Sequence, residues 1–208
     1  MNEIKIYDLN EFTGDIKNNE DVQRYIQESN KLYQNKIKSK LKFRGKNIFF
    51  GTHRLENGLY QQFVHISGFL EKDDNFFIPR PCKNEKYIEN CNNCIKRNIV
   101  NRINAEDRYF CFYRCSYMVY IINIFKLINV GNLQNIEICE ERKYINKRMK
   151  ELKFIHIRYR EGDIYYYILL EDVSDKGYYA FRCGFPIFNQ RVKNEKDKIF
   201  SKLKKEEA

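Results

Sequence analysis

The chain has 208 residues, 43% of them hydrophobic, and 38 Lys+Arg against 28 Asp+Glu give a formal charge of +10. That length and apolar content support one buried core of ordinary size and exclude a disordered polymer. No apolar run is long enough to cross a bilayer as a helix.

In chain order, the first 30 residues hold seven acids and three bases, a net of −4, so the rest carries +14. The start, Met1–Lys5, lacks a basic stretch followed by an apolar one, so no signal peptide is expected and the expected location is cytoplasmic. Ile4–Tyr7 reads as a short strand. Asp15–Tyr33 reads as a helix, because Val22, Tyr25, Ile26, Ser29, Leu32 and Tyr33 recur at three- and four-residue steps. Residues 31–50 then hold seven bases and no acid. Within them Lys36–Phe43 alternates, which predicts a strand with four lysines on one face and Ile37, Leu41 and Phe43 on the other. Arg44–Asn47 reads as a turn, Asn47–Thr52 as a strand, and Asn57-Gly58 as another turn. Gln61–Phe69 reads as a strand carrying His65.

Residues 70–108 are poor in apolar periodicity and hold Pro79, Pro81, Cys82, Cys91 and Cys94. They look like an insertion organised by something other than a hydrophobic core. Tyr109–Val130, dense in aromatic and β-branched residues, favours strand, with a helix over Cys115–Leu127 as the alternative. Glu140–Leu152 reads as a basic helix. Phe154–Tyr159 and Ile164–Leu170 form a hairpin around Glu161-Gly162-Asp163, and Tyr178–Phe188 is a last strand. Lys193–Ala208 reads as a charged tail with a frayed helix. The expected domains are an acidic helical segment over 1–35, a core over 36–192 with a subdomain at about 65–108, and the tail over 193–208. The expected fold is mainly β, a five-stranded OB-fold-like barrel with an inserted zinc subdomain and a few short helices. No Gly-rich phosphate loop, nucleophile elbow or helical His-Glu-x-x-His stretch occurs.

A basic body favours a polyanion, and nucleic acid is the commonest. The abundance of Lys, Asn, Ile and Tyr also fits an AT-rich genome, so charge alone is a weak argument. Sixteen Tyr and 16 Phe with no Trp exceed what one core needs, and exposed tyrosines suit stacking on bases. Seven cysteines in a cytosolic chain point away from disulfides. Cys91-Asn92-Asn93-Cys94 is a common half-site for tetrahedral zinc, and His65 and Cys82 would complete a closed structural set. A rival set is Cys91, Cys94, Cys111 and Cys115, close to a zinc-ribbon spacing. Cys139 and Cys183 are isolated and read as core residues. His156 reads as a satisfied or surface strand histidine rather than a catalyst.

In this order the features resemble the zinc-containing single-stranded-DNA-binding (helix-destabilising) proteins of T-even bacteriophages. The resemblance rests on the Lys-alternating run from Lys38 to Phe43, on His65-Ile66-Ser67-Gly68-Phe69, and on Tyr87–Cys94 following Cys82. Further along it rests on Arg114-Cys115-Ser116-Tyr117 before Met118–Phe125, on Arg142–Lys153, and on Glu161-Gly162-Asp163-Ile164. It implies an OB-fold with a structural zinc on His65, Cys82, Cys91 and Cys94, and no catalysis. It also implies a protein that coats single-stranded DNA in phage replication, recombination and repair, with replication proteins as partners and no membrane. The acidic start, the mixed-charge end and a long His65–Cys82 spacing depart from that family's pattern.

On this reading Lys38, Lys40, Lys42, Arg44, Arg108, Arg114 and Arg158 neutralise phosphates. Tyr109, Tyr113, Tyr117, Tyr165, Tyr166 and Tyr167 stack on bases. One alternative is a metal-independent ribonuclease with His65 or His156 as general base and Arg158 or Arg182 on the phosphate. A second is a zinc-bearing duplex-DNA adaptor reading through a helix over Ile95–Ile103.

Overall fold

Tyr25, Ile26, Ser29 and Asn30 are buried while Gln23, Arg24, Gln27 and Glu28 are exposed, so helix α1 (Asn19–Leu32) hides one face, as its periodicity predicts. The computed structural model describes residues 19–38, 40–70, 102–104, 108–145, 150–187 and 190–206. The predicted strand at Ile4–Tyr7 lies outside them.

The architecture is mainly β, built on a six-stranded sheet curled into a half-barrel, with a few helices. Its strands are β1 (Lys42–Phe43), β2 (Lys46–Phe49), β6 (Ile136–Ile145), β7 (Lys150–Glu161), β8 (Ile164–Val173) and β9 (Tyr178–Pro186). The order is β1-β2-β9-β8-β7-β6, antiparallel except for the parallel pair β2–β9. The barrel-like curl agrees with expectation; the sheet has six strands rather than five. A second, three-stranded sheet joins β3 (Gly68–Leu70), β5 (Arg108–Phe110) and β4 (Arg102–Asn104).

Both faces of the large sheet are covered, which is why Ile155–Tyr159 of β7 is buried without a break. The inner face presents Ile155, Ile157, Tyr166, Ile168, Leu170, Tyr179 and Phe181 to α1, to α2 (Gln61–Ser67) and to α4 (Val119–Asn129). The outer face presents Cys139, Tyr165 and Tyr167 to α5 (Gln190–Glu206), through Val192, Phe200 and Leu203. The predicted tail is thus a helix packed on the sheet. The curl brings the β1–β2 turn back across the inner face, where Arg44 donates to Glu140 on the opposite edge strand at 2.7 Å.

Four predicted elements differ from the structure, each for a physical reason. Lys36–Phe43 is not a strand: Tyr33–Ile37 is a π-helical turn in which the Lys38 N–H reaches the Tyr33 carbonyl at 2.8 Å, and only Lys42–Phe43 pairs as strand. Buried Tyr33, Ile37 and Leu41 are four residues apart, so one sequence satisfies both a helical step and an alternation. Gln61–Ser67 is helical, with Phe63, Val64, Ile66 and Ser67 all buried. Tyr109–Val130 gives only the end of β5, then the short helix α3 (Phe112–Ser116) and α4, so the alternative helix over Cys115–Leu127 is the nearer reading. Helix α4 buries Val119, Ile121, Ile122, Asn123, Ile124 and Phe125, and burial on nearly every side erases the period that marks a helix. It ends on Gly131 at φ 77°, whose N–H bonds the Ile128 carbonyl while the Asn132 N–H bonds that of Leu127, a Schellman cap. The described residues of Glu140–Leu152 are not helical but strand, part of β6 and β7, paired from Glu140↔Ile155 to Ile145↔Lys150. Arg142, Lys143 and Tyr144 in succession, and Lys150 with Glu151, are exposed, which removes the alternation expected of a strand.

The local turn signals hold. Gly162 and Asp163 form the two-residue connection between β7 and β8, with Gly162 at φ 54°. Asn57-Gly58 turns the chain so that Arg54 bridges Tyr60, with the Asn57 side chain accepting from the Leu59 N–H at 3.1 Å.

Candidate nucleic-acid interface

The basic segment wraps one edge of the sheet. Lys42 pairs with Asn47, and Asn47 pairs with Tyr178. Side chains alternate across a strand, so Lys42, Asn47, Phe49 and Tyr178 share the outer face while Phe43, Ile48 and Tyr179 are buried on the inner one. Phe49 is 49% exposed, an unusual place for a phenylalanine, and its ring meets Tyr178 edge-on at 5.8 Å. The Leu41 carbonyl accepts from the Ile48 N–H at 3.0 Å, so Lys40, Lys42 and Phe49 belong to one edge. Lys40 and Lys42 are exposed, with no carboxylate partner among the described residues. Lys38 is half-buried and its ammonium sits 4.0 Å from the centre of the Tyr60 ring. Arg44 is committed to Glu140, which also takes Lys153 at 2.6 Å. The carboxyl of Glu140 is held below its usual range, first by Lys153 and then, against burial, by Arg44.

Other predicted contacts are interior. Tyr165, Tyr166 and Tyr167 are buried on the two faces of β8 and offer no ring to a base. Tyr117 is buried and stacks on Tyr120 at 5.2 Å, and Tyr120 stacks on Tyr166 at 6.0 Å, so these rings stack on one another. Arg158 is buried and reaches Glu137 at 2.6 Å and Asp197 of α5, so its charge is answered within the protein. Arg114 is buried and donates to the carbonyls of Gly68 at 2.6 Å and His65 at 3.4 Å. It ties down the end of α2. Arg158 and Tyr165–Tyr167 lie on a sheet whose two faces both meet helices, whereas Arg114 and Tyr117 are buried at the short helix before α4. Arg108 and Tyr109 lie in β5 and Tyr113 in α3.

His65 is half-buried in the last turn of α2, just before the three-stranded sheet. Cys82, Cys91 and Cys94 lie outside the described residues, as does most of the predicted 65–108 subdomain. Among the described residues no group of three or more His, Cys, Asp or Glu is placed to hold a metal. Cys111 and Cys115, the rival pair, are buried thiols one helical turn apart, and burial pushes the Cys115 thiol up to about 12. Cys139 is a core residue, as expected, and Cys183 is partly buried against the same cluster.

The residues that sequence reading passed over are Phe49 and Tyr178, Arg54 with Tyr60, and the polar cluster beneath α5. In that cluster Nδ1 of His156 lies 2.8 Å from the Tyr167 hydroxyl, and Nε2 lies 3.2 Å from Glu141. Burial raises the Tyr167 pKa well above its ordinary value. A protonated phenol donating to Nδ1 leaves Nε2–H as the donor to Glu141. Burial lowers the His156 pKa, with Glu141 opposing it. Nearby, burial raises and Lys204, Arg158 and Arg160 together lower the carboxyl of Glu137, which settles at about 2. His156 is therefore a satisfied strand histidine, closed off from solvent. The acid-free run of bases before Phe49 is the local signal that locates the edge. No protein-family model, curated protein or solved structure matches the chain.

Proposed function

We propose that the protein binds single-stranded nucleic acid, DNA first, with little regard to sequence. The observation that supports it is the sheet edge where exposed Lys40 and Lys42 flank exposed Phe49 and its neighbour Tyr178. Phosphates need cations that the protein has not already neutralised, and bases need a free ring face; that edge offers both. In this reading the curled sheet acts as an OB-fold-like barrel. The protein coats and protects single strands during phage replication, recombination and repair, with replication proteins as partners in that work. A zinc on His65, Cys82, Cys91 and Cys94 would hold the inserted segment and lie away from the nucleic acid, so its loss would weaken folding before binding. The ribonuclease alternative loses support in its form with His156 and Arg158, since both are enclosed beneath α5.

The test is fluorescence anisotropy with a labelled oligothymidylate and a duplex of equal length. The expected result is preference for the single strand, weakened by about 1–3 kcal/mol in Phe49→Ala. Equal affinity for duplex and single strand overturns the reading. Metal content of the purified protein tests the zinc: it should fall on changing His65, Cys82, Cys91 or Cys94 and survive changing Cys111 or Cys115.

A further inference from the structure

Two cations converge on one phenol at the start of α2. Arg54 donates to the Tyr60 hydroxyl at 2.7 Å, with its guanidinium 4.7 Å from the ring centre. Lys38 approaches the same ring from a different element, 4.0 Å from its centre. The backbone fixes both. Arg54 and Tyr60 face each other across a bridge closed by the Leu55 N–H on the Leu59 carbonyl at 2.9 Å. Lys38 is set by the π-helical turn, whose Tyr33 ring packs 5.9 Å from Tyr60. The phenol pKa is lowered, first by Lys38 and then by Arg54.

Like charges repel, and a folded protein normally separates them or places a carboxylate between them. Neither Lys38 nor Arg54 has a carboxylate partner among the described residues. Two cations set by the backbone against one phenol, with no carboxylate on either among the described residues, offer the kinds of donor that a tetrahedral oxyanion takes. We propose that Lys38, Arg54 and Tyr60 form a binding site for a single phosphate group. The proposal rests on the nucleic-acid reading in assigning the phosphate to a strand, either a backbone diester or a 5′-terminal monoester. The site itself depends only on the geometry of these three side chains.

The test uses the full chain, inorganic phosphate alone, and single-stranded oligonucleotides with and without a 5′-phosphate. The variants are Lys38→Gln/Arg54→Gln, Lys40→Gln/Lys42→Gln as a charge-matched comparison, and Tyr60→Phe, which keeps the ring packing. Inorganic phosphate should raise the melting temperature of the wild type by mass action. The shift should vanish in Lys38→Gln/Arg54→Gln, shrink in Tyr60→Phe and persist in Lys40→Gln/Lys42→Gln. With oligonucleotides, tighter binding of the 5′-phosphorylated strand that is lost in Lys38→Gln/Arg54→Gln assigns the site to strand ends. Equal binding of both strands, with the salt slope of that variant reduced by about 0.7, assigns it to the backbone. A phosphate shift without oligonucleotide binding keeps the site and overturns the nucleic-acid reading. No phosphate shift in the wild type overturns the site, even where oligonucleotide binding persists.

Discussion

Arg114 shows how much a side chain's role depends on what lies opposite it. In the sequence it is one of many cations beside tyrosines. In the structure its guanidinium is buried and holds the carbonyls of Gly68 and His65, where α2 passes into the small sheet. Hydrogen bonds from a charged donor are worth about 1.5–3 kcal/mol each, and truncation leaves buried acceptors unmet. Arg114→Leu should therefore lower stability by about 2–4 kcal/mol in urea denaturation and leave the salt dependence of nucleic-acid binding unchanged. A weakened salt slope with unaltered stability would return Arg114 to the phosphate contacts. His156 argues at the same scale. Its folded pKa lies below the unfolded value of about 6.5, because burial penalises the imidazolium. The unfolded chain then binds the extra proton, so stability is complete above that value and falls as pH drops below it. Glu137, held at about 2, acts lower down: its contribution is present above the ordinary carboxylate range and is lost as pH falls towards 2. Denaturation midpoints should therefore fall from pH 7.5 to 5.5 in the wild type and change less in His156→Gln. A midpoint flat over that window would contradict the assignment.

Elements were legible where the signal is local and one-sided. Helix α1 shows its period because one face is in water. The β7–β8 hairpin shows its turn because Gly162 must adopt a positive φ. Elements closed in on several sides were not legible: α4 reads as an apolar run, and α2 as a strand. The charged arms of the β6–β7 hairpin read as a helix because what decides them is pairing with partners 5 to 15 residues away across the hairpin, which composition and period do not reveal. The edge with Phe49 was half legible. Its lysines stood out, while its exposed ring and the convergence of Arg54 and Lys38 on Tyr60 depend on the fold. Helix α5 was taken for a tail because its charges dominate its composition, yet Val192, Phe200 and Leu203 line up on the sheet. Phe200 is fully buried, with the Arg158 guanidinium 4.3 Å from its ring centre and His156 edge-on at 6.3 Å. Removing it opens a cavity and unroofs a charge, so Phe200→Ala should cost about 3–5 kcal/mol. A cost under 1 kcal/mol would mean that α5 contributes little to the fold, as a frayed tail would.

At the scale of the whole molecule, a charge of +10 says less than where uncommitted cations stand. Arg158 and Arg160 answer Glu137 and Asp197, Lys153 answers Glu140 and Asp172, Arg182 answers Glu171, and Arg44 closes the curl on Glu140. An internally paired cation releases no counterion when a strand binds. Lys38, Lys40, Lys42 and Arg54 have no such carboxylate among the described residues and lie within one segment. Single strands lose about 0.7 in the log–log slope per phosphate neutralised, so three contacts, with Lys38 and Arg54 sharing one phosphate, give a slope of about −2. Lys40→Gln/Lys42→Gln should flatten it to about a third. Arg44→Gln should leave it unchanged while destabilising the fold slightly, since a partly exposed ion pair is worth about 0–1 kcal/mol. Affinity measured from low to moderate salt in these three proteins decides the matter. A slope indifferent to Lys40 and Lys42 but sensitive to Arg44 would place the strand across the inner rim, at the closure of the curl, instead of along the edge that carries Phe49.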